Sequence, residues 1–207
     1  MIDRISEHWF VDPTRPTQAE RQRFLSMGLS VDDLGRPMHP WMDILDANQR
    51  IAGKGEFYEW GPNYTADAIV FTEEDIPSVL LVKRQDTGQW ALPGGFRDEG
   101  ESDLHAAIRE LGEETSLTVE SSWTKCYSGP VADPRTTRHA WPETTAYFTH
   151  VDAPSPVKPS DEVVQCEWFR LDELCMLDLY GSHQSLIEAG LRAADAIALE
   201  ASRNLVH

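Results

Sequence analysis

The segment from Gly94 to Leu117 constrains the fold of this chain more than any other part of the sequence. Two adjacent glycines, Gly94 and Gly95, follow Pro93, and the residues after them carry apolar side chains at helical spacing. This pattern predicts a helix from about Ser102 to Thr115 with one buried face. The apolar face is formed by Leu104, Ala107, Ile108 and Leu111.

Acidic residues occupy another side of the same helix. Glu110, Glu113 and Glu114 stand at positions i, i+3 and i+4, which places their β-carbons about 5 to 6 Å apart. Their repulsion is relieved by a divalent cation, and an oxygen-only ligand set suits Mg²⁺ or Mn²⁺ better than zinc. The same spacing also occurs on the solvated face of an ordinary amphipathic helix, so the acids alone leave both interpretations open.

Two residues beside the acids fit a metal site. Gly95 lets the backbone approach a metal or a phosphate closely, and its carbonyl can complete a coordination sphere. Arg109 can pair with Glu113 or Glu101 and so fix the orientation of a ligand.

The whole segment resembles the Nudix box, in which Gly95, five residues, Glu101, seven residues and then RELGEETSL follow one another. The resemblance implies an α/β fold, a Nudix α/β/α sandwich with a mixed sheet, that binds Mg²⁺ and hydrolyses a nucleoside diphosphate linked to another group. Ser116 departs from the family pattern, which has glycine there, and we expect it to keep a negative φ and shift the helix boundary. The implied catalytic residues are Glu101, Arg109, Glu110, Glu113 and Glu114, and the implied metal ligands are Gly95, Glu110, Glu113 and Glu114.

Three flanking segments resemble the ADP-ribose pyrophosphatase branch of that family: GPNYTAD at 61–67, DPRTTRHAWPET at 133–144 and LYGSH at 179–183. The resemblance implies hydrolysis of ADP-ribose to AMP and ribose 5-phosphate. Alternatives are another substrate, such as NADH, FAD, a nucleotide sugar or a dinucleoside polyphosphate, or a sensor that binds ADP-ribose without cleaving it. The implied substrate-binding residues are Tyr64, Thr65, Gly94, Gly95, Phe96, Asp133, Arg135, Leu179, Tyr180 and His183.

The chemistry of the flanking residues leaves their roles open. Arg135 offers a planar fork for a phosphate and Asp133 can accept from ribose hydroxyls, but an Asp-Pro-Arg turn with a local side-chain bond is common and also fits the sequence. Tyr180 and His183 lie where a helix begins, either near an anionic group or as a capped and packed helix end.

Several further residues have two interpretations each. Trp90 and Trp141 can stack on adenine or belong to the core, and His105 is expected on the helix surface rather than at a metal. The proton of the attacking water requires a base, for which the sequence offers Glu101, Glu114, Glu143, Asp161 and Glu162 without a choice among them.

The composition of the chain changes near residue 60. Residues 1–60 are polar and interrupted by glycine and proline, and we predict that they form an N-terminal arm packed on the main domain. Residues 61–207 are predicted to form the Nudix domain. Within the arm, Thr17 and Glu20 predict a capping box for a helix that Gly28 ends. Apolar runs predict strands at 68–71, 79–82, 144–151 and 163–169, and a second helix runs from about Ser185 with a buried stripe of Leu186, Ile187, Leu191, Ala194, Ile197 and Ala198.

Composition narrows the class of partner. The chain carries 18 Lys and Arg against 35 Asp and Glu, a net charge of −17, which disfavours nucleic acid as a ligand. The three cysteines lack the paired short spacing of a zinc site. The first twenty residues are acidic, which is not typical of a targeting signal. No apolar run is as long as a membrane-spanning helix. We expect a cytoplasmic monomer or homodimer that binds a small nucleotide and no membrane.

Overall fold

The structure is a computed structural model, and it describes residues 15–43, 45, 51–160 and 163–204. Three α-helices and seven β-strands are present in these ranges, together with a 3-10 helix at Leu171–Met176. The helices are α1 (Gln18–Ser26), α2 (Asp103–Thr115) and α3 (His183–Asn204). The strands are β1 (Gly61–Thr72), β2 (Ser78–Arg84), β3 (Trp90–Ala91), β4 (Gly94–Phe96), β5 (Thr124–Pro130), β6 (Ala140–Val151) and β7 (Val163–Arg170).

The strands form one mixed sheet in the order β3-β2-β1-β6-β5, with β4 paired to β1 and β7 paired to β2. Strands β2 and β4 both run antiparallel to β1, and β7 runs antiparallel to β2. The predicted α/β class with a mixed sheet and flanking helices is confirmed. No helix in the described ranges combines the length and the apolar character that crossing a membrane requires.

The chain divides into two compact units. One comprises Met1–Asn63 and Pro130–Glu143, and the other comprises Tyr64–Gly129 and Thr144–His207. The predicted boundary between an N-terminal arm at 1–60 and a Nudix domain at 61–207 stays a prediction.

The first unit contains α1, whose start and end follow the predicted signals. The Thr17 side chain accepts from the Glu20 amide while the Glu20 side chain accepts from the Thr17 amide, and Gly28 after the helix has a φ of 74°. Trp141 is completely buried in this unit, with the His39 ring 4.8 Å away edge-on. Trp141 is therefore a core residue, and its ring offers no face for stacking on adenine.

In the second unit, helix α2 packs its apolar face on β1. Ser102 caps the helix by accepting from the His105 amide, and Ala106, Ala107 and Leu111 are buried in one cluster with the alternate β1 residues. His105 is exposed, as expected.

Helix α3 begins two residues before the predicted start, and its buried stripe is shorter than predicted. Leu186 and Ile187 are buried, whereas Ile197 is 49% exposed, so the stripe does not extend to Ala198. At Gly190 the helix lies near β1, since a β-carbon there would stand 3.2 Å from Ile69 and Phe71. Periodicity predicts which side of a helix is apolar, but the length that is covered depends on the neighbouring element.

Ser116 contradicts the expectation of a negative φ. Helix α2 ends at Thr115, and Ser116 adopts the left-handed conformation with a φ of 58°. The Ser116 amide donates to the Gly112 carbonyl at 2.9 Å, so the residue closes the last turn in the geometry that glycine usually provides. The predicted helix end is thus kept, at a conformational cost to the serine.

Replacing Ser116 with glycine is expected to raise the free energy of unfolding by about 0.5 to 1 kcal/mol, because the left-handed conformation costs an L-residue about 1 kcal/mol. The serine hydroxyl contributes little, since its bond to the Lys158 carbonyl is 3.4 Å long. Urea denaturation measures the change. Ser202→Gly in α3 is the matched control and is expected to lower the same free energy by up to about 0.5 kcal/mol; an equal loss in both variants would contradict the prediction.

Candidate active site

The candidate site lies where helix α2 meets the glycines of β4. Strand register pairs Gly94 with Asp67 and Gly95 with Ala66, and α2 packs against β4. Glu114 is almost completely buried, and its Oε2 accepts a hydrogen bond from the Gly94 N–H at 3.0 Å. This bond joins residues 20 positions apart and fixes the end of the acidic side chain.

Burial, together with the negative charges of Glu110 and Asp67, raises the pKa of Glu114 to about 8. The Gly94 N–H and the positive charge of Arg84 act in the opposite direction. A carboxyl whose neighbours favour its protonated form is also one that gains from a bound cation. Positive charge is therefore favoured at this point of the molecule.

Glu110 lies directly against the backbone of Gly95. A β-carbon at position 95 would stand 2.5 Å from Glu110 Oε1, closer than real β-carbons approach other atoms. The requirement for glycine at this position is thus steric: the carboxylate of Glu110 occupies the space that a side chain would fill.

Arg109 holds the remaining acids together. Its guanidinium donates two hydrogen bonds of 3.0 Å to Glu101, one of 2.8 Å to Glu110 and one of 2.9 Å to Glu113, and it also reaches the Phe96 carbonyl. The sequence left open whether Glu113 or Glu101 is the partner, and the structure contains both pairs. These hydrogen bonds lower the pKa of Glu101, which makes it a weak candidate for the base.

Glu101, Glu110 and Glu113 are arranged around the Arg109 guanidinium. Across the described residues, no three His, Cys, Asp or Glu side chains converge as a metal ion requires. The donors still fit a hard divalent cation in their chemistry, because Glu110, Glu113 and Glu114 provide oxygen only. The histidine of α2, His105, is exposed, and this helix contains no cysteine, so it offers no donor set that favours zinc.

Tyr180 and His183 are held at the start of α3. Tyr180 is buried, and the Arg84 guanidinium lies 4.4 Å from its ring centroid. His183 accepts the Leu92 N–H on Nδ1 at 2.9 Å, so the proton of the neutral ring is on Nε2. Leu179 forms a parallel bridge with Trp90, which makes this segment a neighbour of the strand that leads into Pro93 and Gly94.

Tyr64, Thr65 and Phe96 lie on the β1–β4 pair, where Thr65 is opposite Phe96. Tyr64 is 38% exposed, and the Arg97 guanidinium stands 4.9 Å from its ring centroid. Arg97 was not identified from the sequence, although a cation two residues after Gly95 is a signal that could have found it. It also forms an ion pair with Asp103.

Asp133 and Arg135 belong to the first unit and bond to each other there. Asp133 accepts from the Arg135 amide at 2.7 Å and from the Arg135 guanidinium at 3.0 and 2.7 Å. The local Asp-Pro-Arg turn foreseen as one alternative is therefore present, and a role for the pair in substrate binding stays a prediction. Glu143, a candidate base, accepts from the Trp141 indole at 3.0 Å, whereas Asp161 and Glu162 lie outside the described residues.

Asp67 is a second residue of the site that the sequence did not identify. It interrupts the apolar run of β1 and is buried beside Gly94 and Glu114. A charged residue inside a buried strand is a recognisable signal, because such a charge is costly unless it is bonded or used.

This protein has an α/β fold with an acidic site that offers oxygen donors. The site is formed where a helix bearing carboxylates packs against the Gly-Gly strand of a mixed sheet. Residues 61–189 match the NUDIX domain, and the chain is a member of that family. The predicted Nudix hydrolase class is confirmed by this match.

Similar proteins share the family and the fold. The chain is 27% identical over 231 residues to the rat protein named ADP-ribose pyrophosphatase, mitochondrial, covering 93% of this chain and 64% of the rat protein. It is 26% identical over 196 residues to transient receptor potential cation channel subfamily M member-like 2 of Nematostella vectensis, covering 78% of this chain and 12% of the channel. The NUDIX domain of Shewanella oneidensis NrtR, solved with ADP ribose, superposes with a TM-score of 0.56 at 25% identity, covering 74% of this chain and 96% of that one.

Proposed function

We propose that the protein hydrolyses the diphosphate of ADP-ribose to AMP and ribose 5-phosphate with Mg²⁺. The main support for the reaction is the position of Glu114, which is buried, accepts a hydrogen bond from the Gly94 N–H and lies next to Glu110 and Arg109. Support for the substrate comes from the similarity to a rat protein named for this activity and to a NUDIX domain solved with ADP ribose. A cytoplasmic location and a monomeric or dimeric state stay predictions from the sequence.

Each acidic residue of the site has a proposed role. Glu110, Glu113 and Glu114, with the backbone at Gly95, would hold the metal ion. Bound Mg²⁺ supplies charge neutralisation at the diphosphate and lowers the pKa of water. Arg109 keeps Glu110 and Glu113 in place and is itself held by Glu101 through two hydrogen bonds.

The reaction breaks the bridging P–O bond of the diphosphate. Water adds its hydroxyl to one phosphorus, its proton passes to a base, and the bridging oxygen leaves with the other phosphate. Glu101 is an unfavourable base because its hydrogen bonds with Arg109 lower its pKa. Glu114 is a proposed metal ligand and is therefore not assigned as the base as well.

A sensor that binds ADP-ribose without cleaving it is the second candidate, and the similarity to a cation channel favours it. The intact set of acids at 110, 113 and 114 opposes it, because a binding-only site has no need for mutually repelling carboxylates.

Incubation of the protein with ADP-ribose and Mg²⁺, with and without EDTA, tests the proposal. We expect AMP and ribose 5-phosphate in a 1:1 ratio, and no products once EDTA removes the metal. NADH, FAD, UDP-glucose and diadenosine tetraphosphate in parallel reactions test the alternative substrates. Calorimetric binding of ADP-ribose in Mg²⁺ without release of AMP would establish the sensor instead.

A further inference from the structure

Asp67 is an unusual residue for its position. It lies in β1 between Ala66 and Ala68, which are completely buried, and is itself only 7% exposed. The Thr144 hydroxyl on β6 donates a hydrogen bond to Asp67 Oδ2. An acid at this depth is retained only where its charge is bonded or used.

The other oxygen of Asp67 lies on Gly94. A β-carbon at position 94 would stand 2.6 Å from Asp67 Oδ1 and 2.5 Å from the Ala66 carbonyl. The Gly94 N–H is the donor that Glu114 accepts. A continuous series of contacts therefore runs from the Thr144 hydroxyl through Asp67 and Gly94 to the Glu114 carboxyl.

We propose that Asp67 and Thr144 are positioning residues, which hold Gly94 so that its N–H orients Glu114. The consequence for catalysis rests on the proposed function, whereas the positioning itself does not. In this arrangement neither residue needs to contact substrate, because both act through the backbone of Gly94.

A purely structural role fits Asp67 poorly. Asp67 and Glu114 are both buried and both lie against Gly94, and two buried acids close together are unfavourable for folding alone. The neighbouring pair offers a contrast: the Thr145 hydroxyl donates to Asp103 at 3.1 Å, and the other oxygen of Asp103 pairs with the Arg97 cation. Two adjacent threonines of β6 therefore each bind an aspartate. Thr145 binds Asp103, which lies beside the cation of Arg97, and Thr144 binds Asp67, which lies beside the acid Glu114.

Thr144→Val tests the proposal, because valine keeps the shape of threonine and removes the hydroxyl. Hydrogen exchange of the Gly94 amide, followed by NMR in the metal-free protein, is expected to become at least 10-fold faster. Thr144→Ser keeps the hydroxyl and is expected to stay within 2-fold of the natural protein. Thr145→Val is the matched control and is expected to leave the Gly94 amide unchanged.

Kinetics with ADP-ribose and Mg²⁺ supply the second measurement. Thr144→Val is expected to lower kcat about 10-fold with KM within 2-fold and to leave the melting temperature within a few degrees, with recovery in Thr144→Ser. Unchanged exchange at Gly94 in Thr144→Val, or an equal fall of kcat in Thr145→Val, would overturn the proposal. Faster Gly94 exchange in a protein that releases no AMP would support the positioning and refute the proposed function.

Discussion

Replacing Glu114 with glutamine is expected to lower kcat for ADP-ribose about 100- to 1000-fold, the range found when one electrostatic group of an active site is removed. Glutamine has the shape of glutamate, and its amide oxygen can still accept the Gly94 N–H that Glu114 accepts at 3.0 Å. The variant loses the carboxylate that the proposed metal requires. It also removes a buried acid, so the free energy of unfolding is not expected to fall.

Steady-state kinetics and chemical denaturation, measured on the same preparations, check this result. Glu113→Gln is expected to lose activity as well, since Glu113 is a proposed ligand on the same helix. Glu120→Gln, an exposed acid three residues beyond Leu117, is the matched control and is expected to keep natural activity. Near-normal turnover in both Glu113→Gln and Glu114→Gln would refute the assignment of the metal to these carboxylates.

Replacing Gly95 with alanine is expected to lower kcat about 10- to 100-fold and to change stability much less, because misplacement of a reacting group by about 1 Å can cost 100-fold in rate. The new methyl group would stand 2.5 Å from Glu110 Oε1, and that carboxylate, at the end of a flexible side chain, has to move away. Displacement of Glu110 removes one proposed ligand and one bond of Arg109.

Gly112→Ala separates this steric effect from the general effect of alanine for glycine. The nearest atom to a β-carbon at position 112 is the Leu117 carbonyl oxygen at 3.9 Å, an ordinary contact, and the residue lies inside α2. This variant is expected to keep its activity and to gain about 0.5 to 1 kcal/mol in unfolding free energy. Equal kcat values for Gly95→Ala and Gly112→Ala would show that catalysis does not depend on the position of the Glu110 carboxylate against Gly95.

Local features of the fold were predictable because they depend on residues one or two helical turns apart. Capping by Ser102 and the end at Thr115 define α2, and the capping box of Thr17 and Glu20 begins α1. Strands β5, β3 and β4 were not predicted: β3 and β4 contain two and three residues, and β5 lacks a continuous apolar run. Such strands exist because neighbouring strands supply their hydrogen-bond partners.

Ser116 shows where a local prediction went wrong. The family pattern has glycine there, and serine was expected to avoid a positive φ, yet the backbone adopts 58°. Closure of the last turn through the Gly112 carbonyl outweighs a cost of about 1 kcal/mol for the serine.

The acidic helix itself was determined by the sequence. Every acid lies within a few helical turns of the next, as the order of Gly95, Glu101 and the residues from Arg109 to Glu114 shows. Tertiary structure alone decided what those acids face. Glu114 meets Gly94 across 20 residues, Asp67 meets Thr144 across 77, and the Leu92 amide meets His183 across 91. Helical periodicity relates neighbours in one element, whereas contacts at these separations depend on which strands pair and on which side chains are buried together.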